Sequence, residues 1–159
     1  MAQLYQRRYL TCPYNRARDL LAESVRSAVE TGEGQLVRLT PGLPALLGIE
    51  LGHDVIVTVK PAADPMHFDE PWHLHWEPTS GLYPVFDGTL TIRADESYAS
   101  SVLELQGKYQ PPLGVAGAMF DAALGQRIAH ETARELLRRL ATTIEAQYRA
   151  GEAAKSSAL

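Results

Sequence analysis

Hydrophobic and polar residues alternate in short runs over the first two thirds of the chain, and a helical stripe occupies the last third. Alternation marks a strand with one buried face, whereas apolar positions three and four apart mark an amphipathic helix. Residues 3–11 alternate, with Leu4 and Leu10 on one side and Tyr5, Arg7 and Tyr9 on the other, as suits a first strand at a sheet edge or a long hairpin partner. Cys12 and Pro13 interrupt it, and Asn15 is a candidate cap for a helix carrying Ala17, Leu20, Leu21, Ser24, Val25, Ala28 and Val29 on one face. Gly32 and Gly34 are placed to end that helix.

Five more strands are predicted at 35–40, 53–60, 72–77, 83–93 and 100–110. Residues 43–52 are apolar but broken by Pro44, Gly48 and Gly52, and suit either a helical turn or an irregular strand. Parity assigns an inner face to Val55, Val57 and Val59, then Trp72, Leu74 and Trp76, then Phe86, Leu90 and Ile92, then Leu103, Leu105 and Tyr109. Gly88 and Gly107 fall on that face too. Glycine in a strand interior marks a bend or the close approach of another group, so these two either curl the sheet or leave space for a ligand, curvature being the simpler cause.

The C-terminal helix carries Ile128, Ala129, Thr132, Ala133, Leu136, Leu137, Leu140 and Ile144 as its apolar stripe. Glu131, Glu135, Arg138, Arg139 and Glu145 form a solvated face, on which Glu135 can pair with Arg138 and Arg139. A break is expected near Gly125, a cap at Gly151, and a disordered tail over 151–159 behind a single domain of 1–150.

Composition narrows the function classes. The 159 residues carry a net charge of −4, which disfavours nucleic acid as a partner. One cysteine excludes an internal disulfide and suits a reducing compartment. The N-terminal residues lack a signal-peptide pattern and no segment has the apolar length of a membrane span, so the expectation is a cytoplasmic protein without membrane insertion.

Candidate chemistry is sparse. His73 and His75 alternate on one strand with His67 upstream, and Asp69 or Glu70 could complete a metal set; two ligands at strand spacing are a weak signal, and a surface pair with no metal is expected. No nucleophile elbow, phosphate loop or dinucleotide fingerprint is present, and Cys12 reads as a small buried or edge residue. Asp87, Glu104, Asp121, His130, Glu131, Tyr83 and Tyr109 are the acid–base candidates. Parity turns Asp87 and Glu104 outward, while Asp121 reads as favoured by the helix dipole. Tyr109 alone is polar and aligned inward. No catalytic residue and no cofactor are therefore expected, and binding is favoured over catalysis.

The element order, together with Trp76-Glu77-Pro78, Leu82 to Leu90, Leu103 to Tyr109, Pro111-Pro112-Leu113-Gly114, Asp121, Arg127-Ile128-Ala129 and Thr132 to Leu137, resembles the helix-grip fold of the START-like (SRPBCC) superfamily, in its uncharacterised bacterial members. The resemblance is detailed over 72–148 and rests on element order before that. It implies an α+β fold: a curved antiparallel sheet of six to seven strands wrapped around a long C-terminal helix. It is almost silent on activity, because the superfamily includes lipid carriers, polyketide cyclases and co-chaperones.

The expected function is binding of a small hydrophobic molecule (a lipid, isoprenoid or polyketide-like compound) between sheet and helix. The expected contacts are Trp72, Trp76, Phe86, Leu105, Tyr109, Met119 and Phe120, with Tyr109 giving an orienting hydrogen bond. Two alternatives stand beside it. One is a cyclase or aromatase-like enzyme in the same cavity. The other is an interaction module, such as a homodimer, whose cavity is filled by its own side chains.

Overall fold

The computed structural model describes residues 2–30, 35–39, 53–62, 71–79, 84–110 and 122–159. Residues 43–52, the glycines at 32, 34, 114 and 117, and Tyr83 and Asp121 lie outside them. So do His67, Asp69, Glu70, Met119 and Phe120. Among the described residues there are six strands and two helices: β1 (Ala2–Leu10), α1 (Tyr14–Glu30), β2 (Gln35–Leu39), β3 (His53–Pro61), β4 (Trp72–Pro78), β5 (Val85–Ala94), β6 (Ser101–Gln110) and α2 (Ala122–Ser157).

The strands form one antiparallel sheet in the order β1-β6-β5-β4-β3-β2. β1 is an edge strand, as its alternation suggested. Strands β3 to β6 follow one another as neighbours, whereas β1 joins the far side of β6, a pairing that the local pattern does not contain. The β5–β6 connection is a tight hairpin. Asp95 N–H donates to the Ser100 carbonyl at 3.1 Å, and the Ser100 hydroxyl donates to the Asp95 carboxylate at 2.7 Å. Tyr98 completes the turn with φ 56°, a left-handed conformation unusual for a residue with a Cβ.

One face of the sheet is the core. Leu4, Leu10, Val55, Leu74, Trp76, Phe86, Leu90, Ile92, Leu103 and Leu105 are buried on it beneath the two helices. α2 lies chiefly over β1, and α1 packs on α2, β3 and β5. The buried stripe of α2 contains Ile128, Ala129, Thr132, Ala133, Leu136, Leu137 and Ile144, as expected; Ala141 is buried in addition, and Leu140 is only partly buried. The Thr132 hydroxyl returns to the Ile128 carbonyl at 2.7 Å, which satisfies its polarity inside the helix. On the opposite side Glu135 accepts hydrogen bonds from both Arg138 and Arg139.

Three local expectations differ from the structure. α1 begins at Tyr14, so Asn15 lies inside the helix; the first helical bond runs from Ala17 N–H to the Pro13 carbonyl, at 2.9 Å. α2 is one helix of 36 residues, about 54 Å long, without a break at Gly125, which sits in its first turn. It also passes Gly151 and continues to Ser157. The sequence Glu152-Ala-Ala-Lys155 is a strong helix former, and Lys155 pairs with Glu152 at 2.9 Å, so the residues assigned to a tail prolong the helix.

Candidate functional site

Strand register converts the inner face into rows of cross-strand neighbours. One row reads Trp76, Phe86, Tyr109 and Ala2 across β4, β5, β6 and β1. The next is Leu74, Gly88, Gly107 and Leu4, and the third is Trp72, Leu90, Leu105 and Gln6. The five described residues of the expected site thus fall in two rows of one face, on either side of the paired glycines.

Their environments differ. Trp76 and Phe86 stack, with ring centroids 4.2 Å apart and planes 17° from parallel. The Trp76 indole N–H donates to the Pro84 carbonyl at 3.0 Å, so its one polar atom is satisfied in the core. Trp76, Phe86 and Leu105 are each 0% exposed. They form a closed wall. Tyr109, 4% exposed, and half-buried Trp72 retain accessible surface. Among the described residues no group hydrogen-bonds the Tyr109 hydroxyl, and burial pushes its pKa up from the ordinary tyrosine value.

The glycine pair explains the shape of this wall. The Phe86 ring leans along β5 over Gly88 and Gly107, so a Cβ built on Gly107 would meet Phe86 Cζ at 2.8 Å. The space above the glycines is thus taken by the protein's own aromatic ring.

Two polar clusters were not legible in the sequence pattern. On the inner face Gln6 meets His130 of α2, with Nε2 and Nδ1 2.9 Å apart. The parity of β1 with Leu4 places Gln6 inward, but its partner comes from 124 residues away. This pair brings one titratable group to the sheet–helix seam. On the outer face Asp87 is bonded by two histidines, His73 Nε2 at 2.9 Å and His75 Nδ1 at 3.2 Å. The outward orientation of His73, His75 and Asp87 agrees with the parity reading; their convergence depends on the β4–β5 register, in which His75 pairs with Asp87. The His73 hydrogen bond, with help from its charge and from His75, holds the Asp87 carboxyl below the usual range against a smaller opposing effect of burial. Glu104, also outward, binds Arg93 at 2.8 Å and accepts from the Tyr5 hydroxyl at 3.1 Å. Cys12 is buried, and desolvation raises its pKa, which keeps it a thiol.

No family model and no curated protein matches the sequence. Among solved structures the chain is similar to TTHA0849 from Thermus thermophilus, at 13% identity and a TM-score of 0.53, over 92% of this chain and 99% of that one. It is also similar to a START superfamily protein from Mycobacterium smegmatis, at 14% identity and a TM-score of 0.45, over 92% and 97% of the two chains. A third similarity is to the di-domain ARO/CYC BexL from the BE-7585A biosynthetic pathway, at 14% identity and a TM-score of 0.44, over 92% of this chain and 50% of that one. The likeness to TTHA0849, over nearly the whole of both chains, agrees with the fold described above, a helix grip of one antiparallel sheet and a long C-terminal helix. Among the described residues no helix is long and apolar enough to cross a membrane.

Proposed function

We propose that this protein binds a small hydrophobic molecule, of lipid, isoprenoid or polyketide-like character, between the sheet and α2, and does so in the cytoplasm. The observation that supports this reading is Tyr109: a hydroxyl without a hydrogen-bond partner among the described residues, in one cross-strand row with the apolar side chains of Trp76, Phe86 and Ala2. A ligand with an apolar body and one polar atom matches that arrangement, because pockets of this kind take orientation from one or two polar groups and affinity from area. In this proposal Tyr109 and Trp72 make first contact. Trp76, Phe86 and Leu105 stand behind them, and the sequence-based expectation adds Met119 and Phe120 to the contacts.

Full burial of Trp76, Phe86 and Leu105 favours a second reading, in which the protein's own side chains fill the space and the domain acts through its surface. Native mass spectrometry of the freshly purified protein separates the two. Stoichiometric release of an apolar compound on denaturation is the expected result. A clean apo mass that stays unchanged after exposure to lipid and polyketide-like mixtures refutes the binding reading and leaves the filled one.

A further inference from the structure

The outer face of the sheet holds a concavity that the hydrophobic-ligand reading does not use. A depression of about 590 Å³ crosses β1, β6 and β5 transversely to the strands. Gln3, Lys108 and Asp87 form one wall and Tyr5, Gln106 and Thr89 the other, each wall being a row of cross-strand neighbours. The floor is the stretch of Leu4, Gly107 and Gly88, two of which have no side chain.

Two of the wall residues are held in place by partners outside the depression. Asp87 is fixed from β4 by His73 and His75, one on each carboxylate oxygen. The hydroxyl of Tyr5, whose side chain is 49% exposed, is tied to Glu104. Gln3 and Gln106 add amides that both donate and accept, Thr89 adds a hydroxyl, and Lys108 adds an ammonium that has no ion-pair partner among the described residues.

The six polar side chains of the lining do not suit a wholly apolar ligand, since every covered donor and acceptor must find a replacement for water. A molecule dense in hydroxyl groups supplies those replacements. Its C–H face can lie on the Tyr5 ring, and side chains already fixed by neighbours lose little freedom on binding. We infer that this depression is a binding site for a sugar of one or two rings, recognised by Tyr5, Gln3, Gln106, Thr89 and the histidine-held Asp87. The site is separate from the sheet–α2 interior and stands whatever occupies that interior.

The test is a ¹H–¹⁵N NMR titration of the full chain with glucose and with glucuronate, taken to tens of millimolar. The expected result is saturable shifts for at least one of the two, confined to the backbone amides of Tyr5, Thr89, Gln106, Gly107 and their neighbours, with about tenfold weaker binding in Tyr5→Ala and Gln106→Ala. Both substitutions lie on the outer face, and unchanged dispersion elsewhere in the spectrum verifies that the variants fold. Tyr109→Phe on the inner face leaves the titration unchanged. Absence of saturable shifts with both sugars, or shifts that Tyr5→Ala and Gln106→Ala do not weaken, overturns the assignment.

Discussion

Gly88 and Gly107 face each other across β5 and β6, and the Phe86 ring lies over both. A Cβ at Gly107 would stand 2.5 Å from the Gly88 Cα and 2.8 Å from Phe86 Cζ. The first is backbone, which cannot swing away. The second belongs to a ring already stacked on Trp76. Alanine ordinarily improves on glycine within a strand, so this site reverses the usual sign. Gly107→Ala is expected to destabilise the protein by about 1–3 kcal/mol, the usual cost of overpacking, as a lower urea midpoint at unchanged slope. A midpoint at or above that of the parent protein shows that the ring and sheet yield freely.

Tyr109→Phe tests the site itself. With no hydrogen-bond partner for the hydroxyl among the described residues, its removal is expected to change stability by less than about 1 kcal/mol. The affinity for any apolar ligand identified by mass spectrometry falls if the hydroxyl orients it. Unchanged affinity assigns the orienting role elsewhere.

Gln6 and His130 connect the edge strand β1 to α2. A double-mutant cycle over Gln6→Leu and His130→Phe is expected to give a coupling of about 1 kcal/mol, with the double variant more stable than the sum of the single effects predicts. Strict additivity in chemical denaturation means that the contact contributes nothing to the fold.

Acid stability follows the carboxylates. Arg138, then Arg139, hold the Glu135 carboxyl at about 2, below its ordinary 4.5. Its folded-state pKa is depressed, so its contribution is fully present above about 4.5 and is lost as pH falls towards about 2. The pair sits at a partly exposed surface, which limits that contribution to about 1 kcal/mol or less. Asp87 acts in the same direction through its histidine partners. Glu135→Gln is expected to flatten the acid limb of a stability–pH curve while leaving the neutral plateau within about 1 kcal/mol. An unchanged acid limb refutes the ion pair.

Much of the architecture was legible because burial on one side imposes a period. Alternation located all six described strands to within two residues, assigned Trp72, Leu74 and Trp76 to the interior, and turned His73, His75 and Asp87 outward. Helical spacing selected the buried stripe of α2. Local signals did less well where propensity opposes a single punctuating residue: Gly151 did not end the helix, because the Ala-rich segment beyond it carries its own helical preference and a Glu152–Lys155 pair.

What a residue can do, by contrast, depended on partners that no local pattern contains. The sequence by itself determined the elements and the direction in which each side chain points, since both follow from periods of two and three to four along the chain. Only the tertiary structure decided that β1 pairs with β6, that one carboxylate answers two histidines, that Gln6 finds His130, and that Phe86 occupies the space the glycines leave. Those facts come from strand register and helix docking, where contacts between residues far apart in the chain are selected by the packing of the whole domain.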